Sequence, residues 1–390
     1  MIAYDKNELG KWVVVNEAES WFKAGVIDEA QWKVIQTEYF SNLYHPPLWL
    51  RVILFLATIV GIYSGIGFFI SVIISGFSDI DDIYQGVMVF IGAGSFVLLE
   101  LVAIKGKHHY KSGVTEALLY MGLTNLIIGV LGFDMNEYLF AFLVLISGLI
   151  AAIRYLNLIG VIAALGAIAF FVFQGLYDIG GIFQAIIPFA FMLIFGTGYF
   201  VSQNFQKANN LPFYRDSFIV LDSLLLILVY IGGNYFVVRE LSIEMMGLQI
   251  AEGEDIPFGI IFHITTAFIP MAYLFFGIKR KELLLMRVGL LLVFVSVITF
   301  KFYYSTGHPE ISLTIAGAMI LGLTIWTLNY LKTIKNGFTR EKLLSDKWDN
   351  INAESILISS TMGGNVAPPE SSSTEFGGGE FGGGGAGGEF

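Results

Sequence analysis

The sequence of 390 residues predicts an all-α protein: a polytopic transmembrane helix bundle of about ten spans, with a small N-terminal cytoplasmic helical hairpin and a disordered Gly-rich C-terminal tail. Hydrophobic residues make up 55% of the chain, charged residues only 14%, and the mean hydropathy is +0.71. One soluble core would not bury so much apolar surface, so lipid is the expected solvent. The apolar runs between charged islands are about 17 to 25 residues long, the length that crosses a bilayer.

The first element, residues 1–45, is predicted to be a cytoplasmic amphipathic hairpin of two short helices joined at Gly25. Leu9 and Trp12 have helical spacing in the first helix, and Asp28 is placed to cap the second. Two such helices bury too little apolar surface to be stable alone, so we expect them to dock onto the membrane domain or a second copy of the chain. The alternative is a hairpin lying flat on the bilayer.

The second element, residues 46–335, is predicted to hold ten transmembrane helices, because polar breaks divide it into ten apolar windows. The breaks around the fourth window are so short that the third to fifth windows also fit re-entrant or broken helices. Glycines inside the windows indicate close helix packing, at Gly61, Gly65, Gly67, Gly92 and Gly94. The predicted spans are 50–76, 83–104, 112–132, 137–153, 156–173, 180–201, 216–238, 257–278, 283–303 and 311–331.

The loops predict the orientation, because Lys and Arg near a span resist translocation. One set of loops carries only Arg239 and Lys301. The sequence therefore predicts a protein of the cytoplasmic (inner) membrane with both termini in the cytoplasm. The opposite set of loops carries nine basic residues: Lys105, Lys107, Lys111, Arg154, Lys207, Arg215, Lys279, Arg280 and Lys281.

The last two elements follow the tenth predicted span. Residues 336–362 are predicted to form a cytoplasmic helix, with Thr339 as a cap. Residues 363–390 are rich in Gly and Ser and are expected to be disordered, because they offer almost nothing to bury. One interpretation of this tail is a solvating linker; the other is that the phenylalanines of its Glu-Phe pairs bind a cytoplasmic protein.

The segment Glu19–Ile35 resembles the N-terminal hairpin of bacterial membrane proteins of the DUF2157 type. In that family a Trp, a Gly and an apolar–apolar–acid step precede a second helix, and many spans follow. Here these positions are held by Trp21, Gly25 and the run Val26, Ile27 and Asp28. The resemblance implies a multi-pass topology and no activity.

The last 15 residues, from Phe376 to Phe390, resemble the Gly-rich tails of several unrelated bacterial membrane proteins, including some with TPM domains. Those tails usually end in Trp, whereas this chain ends in Phe390. No TPM domain is readable in the sequence, so the resemblance implies no activity.

The sequence gives no indication of an enzyme. It contains no cysteine, which excludes disulfides, thiolate metal sites and cysteine nucleophiles. The motifs HExxH, GxSxG and GxxxxGK[ST] are missing, and no catalytic pair, metal site or cofactor site is predicted. The net charge of −10 makes nucleic acid an unfavourable partner.

A candidate intramembrane polar cluster contains Glu100, Glu116, Asp222 and Arg287. Counted from the basic loops, Glu100 and Glu116 lie about 7.5 Å deep, and Asp222 and Arg287 about 9–10 Å deep. Charges inside hydrocarbon need partners or water, so Arg287 is predicted to be the cation that pairs with these acids. The alternative is anchoring: Glu116 stabilises a helix N-terminus and Glu100 reaches the headgroups.

A second candidate group lies toward the other membrane face and contains Asn234, His263 and Lys301. These residues are placed to line a cavity open to the outside. The alternative is that Lys301 snorkels to the interface and His263 makes a helix–helix hydrogen bond.

Two functions fit these features. The first is a non-enzymatic envelope scaffold or sensor that binds a cytoplasmic protein through residues 1–45 or 363–390. The second is a small-solute transporter, because ten spans divide into five plus five and an odd-numbered unit can repeat with inverted topology. A solid bundle favours the scaffold, and an inverted repeat around a midplane cavity favours the transporter.

Overall fold

The computed structural model describes residues 2–74, 80–132, 136–209, 211–245, 247 and 255–303, and six isolated residues between Leu321 and Lys332. Every regular element in these ranges is a helix. The extended backbone in the same ranges pairs at an isolated bridge between Tyr44 and His109. The predicted all-α class is confirmed.

Two short helices, α1 (Lys6–Lys23) and α2 (Glu29–Glu38), precede the long ones. Leu98–Gly106 continues α4 as a π-helix, and Pro212–Tyr214 is a single 3₁₀ turn before α9. The remaining helices are α3 (Leu48–Ile74), α4 (Ile80–Val97), α5 (Val114–Leu131), α6 (Glu137–Tyr155), α7 (Leu158–Ile179), α8 (Ile182–Ala208), α9 (Arg215–Gly233), α10 (Tyr235–Glu244), α11 (Gly259–Arg280) and α12 (Leu283–Tyr303).

Nine helical segments within the described ranges are long and apolar enough to cross a membrane. They coincide with the first nine predicted spans, and α5, α6 and α7 are separate full-length helices rather than pieces of one. The chain is therefore a multi-pass membrane protein in contact with lipid. Residues 336–390 lie outside the described residues. The tenth predicted span, 311–331, also lies outside them, except for a few positions.

The long helices pack mainly as hairpins of sequence neighbours, α4 with α5, α6 with α7, α8 with α9, and α11 with α12. Small residues bring α6 and α7 together: a Cβ on Gly148 would lie 2.7 Å from the nitrogen of Ala164, and one on Gly160 would lie 2.7 Å from the Cβ of Ala151. Such close approach is the usual role of small residues in membrane helices.

The glycines predicted from sequence to mark close helix packing differ in their surroundings. Gly92 does contact a neighbour, because a Cβ there would lie 2.9 Å from the nitrogen of Leu126. For the other four no such contact is found in the described ranges, because nothing described lies within 4 Å of the added Cβ: Gly61, Gly65, Gly67 and Gly94. A glycine pattern alone does not tell which face of a helix meets a neighbour.

The N-terminal segment docks onto one end of the bundle. Asp5 caps α1, and Asp28 forms a capping box at α2 as its sequence position predicts. Leu9 is only 1% exposed and belongs to the same buried cluster as Leu99 and Leu118 from the long helices. The expected docking onto the membrane domain is confirmed for α1, whereas α2 has no buried residue.

The docked segment touches three of the basic loops predicted from sequence, those that follow the second, fourth and sixth predicted spans. The backbone N–H of Ala3 donates to the carbonyl of Arg154 at 2.9 Å, and Tyr44 pairs with the backbone at His108 and Tyr110. On α1, Glu17 lies 3.5 Å from Arg215. These loops carry six of the nine basic residues counted above, so the N-terminus and much of the positive charge share one end of the bundle.

Candidate functional site

At the end of the bundle where the N-terminal segment docks, Glu100 forms an ion pair with Arg154. Arg154 Nε donates to Glu100 Oε1 at 2.7 Å, a second guanidinium nitrogen donates to Oε2 at 2.9 Å, and the Tyr155 hydroxyl donates to Oε1 at 2.6 Å. Arg154 lies in the last turn of α6, which extends two residues beyond the predicted span. The two-pronged geometry suits a planar guanidinium and a carboxylate, and it fixes α6 to the π-helical end of α4.

Tyr4 inserts beside this pair. Its side chain is 6% exposed, and its ring packs edge-on against Tyr110 at 5.0 Å between centroids. Burial raises the pKa of Tyr4 well above its usual range, and the carboxylates of Glu116 and Glu100 add to the effect. The two carboxylates predicted at matched depth therefore act on the same buried phenol.

Glu116 has a local role at the start of α5. Its Oε2 accepts hydrogen bonds from the Gly113 backbone N–H and the Thr115 hydroxyl, both at 2.8 Å. A carboxylate in the first turn satisfies an otherwise unpaired N–H and complements the positive end of the helix dipole. This is the anchoring alternative stated for Glu116 above.

His45 fastens the linker between α2 and α3. Its Nδ1 lies 2.9 Å from the carbonyl of Tyr110, and its Nε2 lies 2.5 Å from a guanidinium nitrogen of Arg51. The carbonyl needs a donor and the guanidinium needs an acceptor, so the ring is neutral with its hydrogen on Nδ1. Burial, with the nearby charges of Arg51 and Lys111, lowers the pKa of His45 to about 4.

This neutral histidine predicts a pH dependence of stability. Because the folded pKa is below the unfolded value of about 6.5, the unfolded chain binds the proton first as pH falls. Stability should therefore be full above about pH 6.5 and fall toward pH 4, by on the order of 1–2 kcal/mol after allowing for solvent screening. Thermal melts of the purified protein at pH 7 and pH 5 measure this loss of stability. His45→Gln should reduce the difference between the two, and an unchanged difference would contradict the assignment.

Asp222, on α9, belongs to a separate group. It is 2% exposed, and it is held by α8: the Ser202 hydroxyl donates to Oδ1 at 2.5 Å, and the amides of Gln203 and Gln206 donate to Oδ2 at 2.9 and 2.8 Å. The predicted span for α8 stopped at residue 201, so all three donors were missed. A helix that continues past the apolar window, to Ala208, brings them to Asp222.

The predicted four-residue cluster is thus divided among separate groups. Glu100 pairs with Arg154, Glu116 caps its own helix, and Asp222 is bonded to α8. The expectation that Arg287 is the cation for these acids is wrong for Glu100, because the cation that pairs with Glu100 is Arg154. The side chain of Arg287 is exposed on α12.

The second predicted group lies where α9 gives way to α10. Asn234 is 1% exposed, its amide donates to the hydroxyls of Tyr230 and Thr299, and its Oδ1 caps α10. Thr265 donates to the carbonyl of Gly233, and Thr266 accepts from the N–H of Tyr235. The break is therefore satisfied by hydrogen bonds, and the run Gly232, Gly233 and Asn234 is a sequence signal for it.

His263 lies next to this break and Lys301 does not take part in it. The His263 ring stacks on Tyr235 at 3.7 Å between centroids, and its Nε2 lies 3.6 Å from a carboxylate oxygen of Asp255. The hydroxyl of Tyr235 donates to the other oxygen of Asp255 at 2.7 Å. Lys301 is exposed, as the snorkelling alternative expects.

In the described ranges, no group of three or more His, Cys, Asp or Glu is arranged to hold a metal ion. Comparisons with protein-family models, with curated proteins and with solved structures gave no match to this chain.

Proposed function

We propose that this multi-pass membrane protein is a non-enzymatic scaffold or sensor of the cytoplasmic (inner) membrane, with both termini in the cytoplasm. The observation that carries the proposal is the docked N-terminal segment. Its helix α1 is fixed to the bundle by Leu9 and by the backbone contact of Ala3 with Arg154, whereas α2 has no buried residue and, in the described ranges, packs mainly against α1. An N-terminal segment that is held on the bundle by α1 and exposes α2 is suited to binding a cytoplasmic protein.

The exposed surface of the hairpin is apolar enough to bind such a partner. Phe22 stacks on Trp32 across the hairpin at 6.3 Å between centroids, which holds the two helices together. Large apolar side chains remain exposed around this contact: Trp21, Phe22, Val26, Val34 and Phe40. Aromatic and aliphatic side chains of this kind form the centres of protein–protein interfaces. In this proposal the tail 363–390 is a second segment that binds a cytoplasmic protein, and a second copy of the chain is an additional partner.

The packing of the bundle favours the scaffold over the transporter. The main helix pairs in the described ranges are sequence neighbours, and polar groups of α9 and of its C-terminal cap bond directly to α8, α11 and α12. One observation favours transport: helix breaks line the substrate sites of many transporters, and α9 ends in a buried break at Asn234. This break follows 19 helical residues, about 28 Å, a length that supports a position near a membrane face rather than at the midplane.

The chain's lack of cysteine makes single-cysteine labelling the direct test. Val34→Cys on α2 and Glu244→Cys at the end of α10 both replace exposed residues. A membrane-impermeant thiol reagent applied to intact cells should label Glu244→Cys, and should label Val34→Cys only after the membrane is opened. The wild-type protein, which has no cysteine, is the control for labelling that does not depend on a thiol. Labelling of Val34→Cys in intact cells would overturn the cytoplasmic placement.

The same Val34→Cys protein tests the partner. A photoactivatable reagent attached to the thiol at position 34 should form a reproducible protein adduct in cells, whereas Lys11→Cys on the docked helix α1 should not. The adduct should be lost when Phe22 and Phe40 are changed to Ser. Adducts with lipid alone, or with α1 as often as with α2, would contradict the scaffold proposal and leave the transporter to be tested by solute flux in vesicles.

A further inference from the structure

The contact between α8 and α9 contains a carboxyl group that the proposed function does not use. Asp222 lies seven residues into α9, about 10 Å along the helix from Arg215. It is 2% exposed, and none of the ion pairs found in the described ranges includes it. Its three hydrogen-bond partners are a hydroxyl and two amides, all neutral. A negative charge held there without a cation is unfavourable in a membrane domain, whereas a protonated carboxyl is neutral.

Among the residues that the structure describes, the groups around Asp222 do not place a positive charge at the carboxylate. From α8 it is faced by Ser202, Gln203 and Gln206, and Tyr199 lies close enough to interact with it electrostatically. Glu282, between α11 and α12, adds a second negative charge to the same neighbourhood. Arg280 acts on Tyr199, but its own side chain is exposed and its guanidinium lies over the ring of Phe276 at 5.6 Å.

The hydrogen bonds around Asp222 fit both of its protonation states. In the ionised state the Ser202 hydroxyl donates to Oδ1, and the two amides donate to Oδ2. In the protonated state Oδ1 can donate to the same hydroxyl oxygen, because a serine hydroxyl accepts as well as donates. The two amide contacts to Oδ2 are unchanged. The site can therefore change its charge without moving a heavy atom.

A polar route connects this carboxyl to the end of the bundle. Gln203 and Gln206 are half-buried, and the Gln206 amide also donates to Ser202 at 3.1 Å. Lys207 and Ala208, which end α8, are exposed. The amide groups of the two glutamines thus lie along one side of α8, between the exposed helix end and the buried carboxyl.

We propose that Asp222 is a proton-binding site, loaded from the side of the membrane where α8 ends. A hydronium ion gives its proton to Oδ1, one O–H bond forms there, water is released, and the local charge changes from −1 to zero. Ser202 changes from donor to acceptor in the same step. Proton binding at Asp222 does not depend on any partner of the N-terminal segment.

Infrared difference spectroscopy on the purified full-length protein in lipid nanodiscs tests the proposal, because a protonated carboxyl has a C=O stretch that a carboxylate lacks. Between about pH 8 and pH 5 the wild-type protein should gain such a band. The band should be missing from Asp222→Asn and present in Glu100→Gln, which removes a different carboxyl. Ser202→Ala should shift the band and its titration midpoint, and Ser202→Thr, which keeps the hydroxyl, should restore both.

The outcome that overturns the proposal is equally specific. If no band that grows as pH falls is lost in Asp222→Asn, the carboxyl does not bind a proton in this range and the proposal is wrong. If Asp222→Asn does not fold, Asp222→Glu replaces it, and its band must differ in position from that of the wild type. An identical band in Asp222→Glu would assign the signal to another carboxyl and overturn the proposal as well.

Discussion

Replacing Gly113 by alanine is expected to lower the stability of the bundle by about 3 kcal/mol or more. Gly113 precedes α5 with a φ of +89°, which an L side chain adopts only at a cost of about 1–2 kcal/mol. The added Cβ would also lie 2.0 Å from the carbonyl oxygen of Arg51 and 3.0 Å from the nitrogen of Phe55. Because both are backbone atoms of α3, the helix itself must shift. The measurement is the thermal midpoint of the detergent-solubilised protein.

Gly25, between α1 and α2, is the matched control. Its φ of +71° carries a similar conformational penalty, but nothing lies within 4 Å of the added Cβ. Gly25→Ala should therefore lower stability by only about 1 kcal/mol. Equal effects of the two substitutions would show that α3 moves away from Gly113 without cost, and that the contact does not fix α3 against α5.

Replacing Arg154 by alanine is expected to cost about 2–3 kcal/mol, because it leaves the carboxylate of Glu100 without its cation. The figure is below the usual range for a buried pair, since the side chain of Arg154 is 41% exposed and that of Glu100 is 19% exposed. Arg154→Ala combined with Glu100→Gln should recover part of the loss, because an amide costs less to bury than a charge. Thermal melts of the wild type and of these two variants measure both the loss and its recovery.

The exposed ion pair of Arg215 with Glu17 is the control for this experiment. Its side chains are 66% and 48% exposed and its atoms are 3.5 Å apart, so Arg215→Ala should cost less than about 1 kcal/mol. The sequence predicts that Arg287 is the cation of these acids, but the cation that contacts Glu100 is Arg154, so Arg287→Ala should cost less than Arg154→Ala. A larger loss from Arg287→Ala than from Arg154→Ala would reinstate the prediction made from sequence.

The fold class and the first nine spans are predictable from sequence because the cost of placing polar groups in hydrocarbon is large and local. The ends of the helices are less predictable, since a helix continues past the apolar window wherever polar side chains find partners. The spans predicted to end at residues 153 and 201 run on to Tyr155 and Ala208. Those extra turns carry Arg154 and Ser202, the partners of Glu100 and Asp222, which is why both were missed.

Position along a helix is readable from sequence, but direction around the helix axis is not. Counting residues from the basic loops places Glu100 and Glu116 at matched depth, and both do act on Tyr4. The same counting gave no means of deciding whether Arg287 faces these acids or the outside of the bundle. Assigning the partner needs the position of the last turn of α6 beside the π-helical end of α4, which follows from the three-dimensional arrangement rather than from hydropathy.

The contact between Ala3 and Arg154 has a consequence for how the chain is made. Residues near position 3 leave the ribosome before α6 does, yet their binding site does not exist until α6 has been synthesised and inserted. Tyr4 and Leu9 must therefore remain unburied while the first four long helices enter the membrane, because both belong to the cluster that closes over them. Closure of the N-terminal segment thus marks the point at which this half of the bundle is complete, and a chain arrested earlier would leave these apolar residues open to proteases and chaperones.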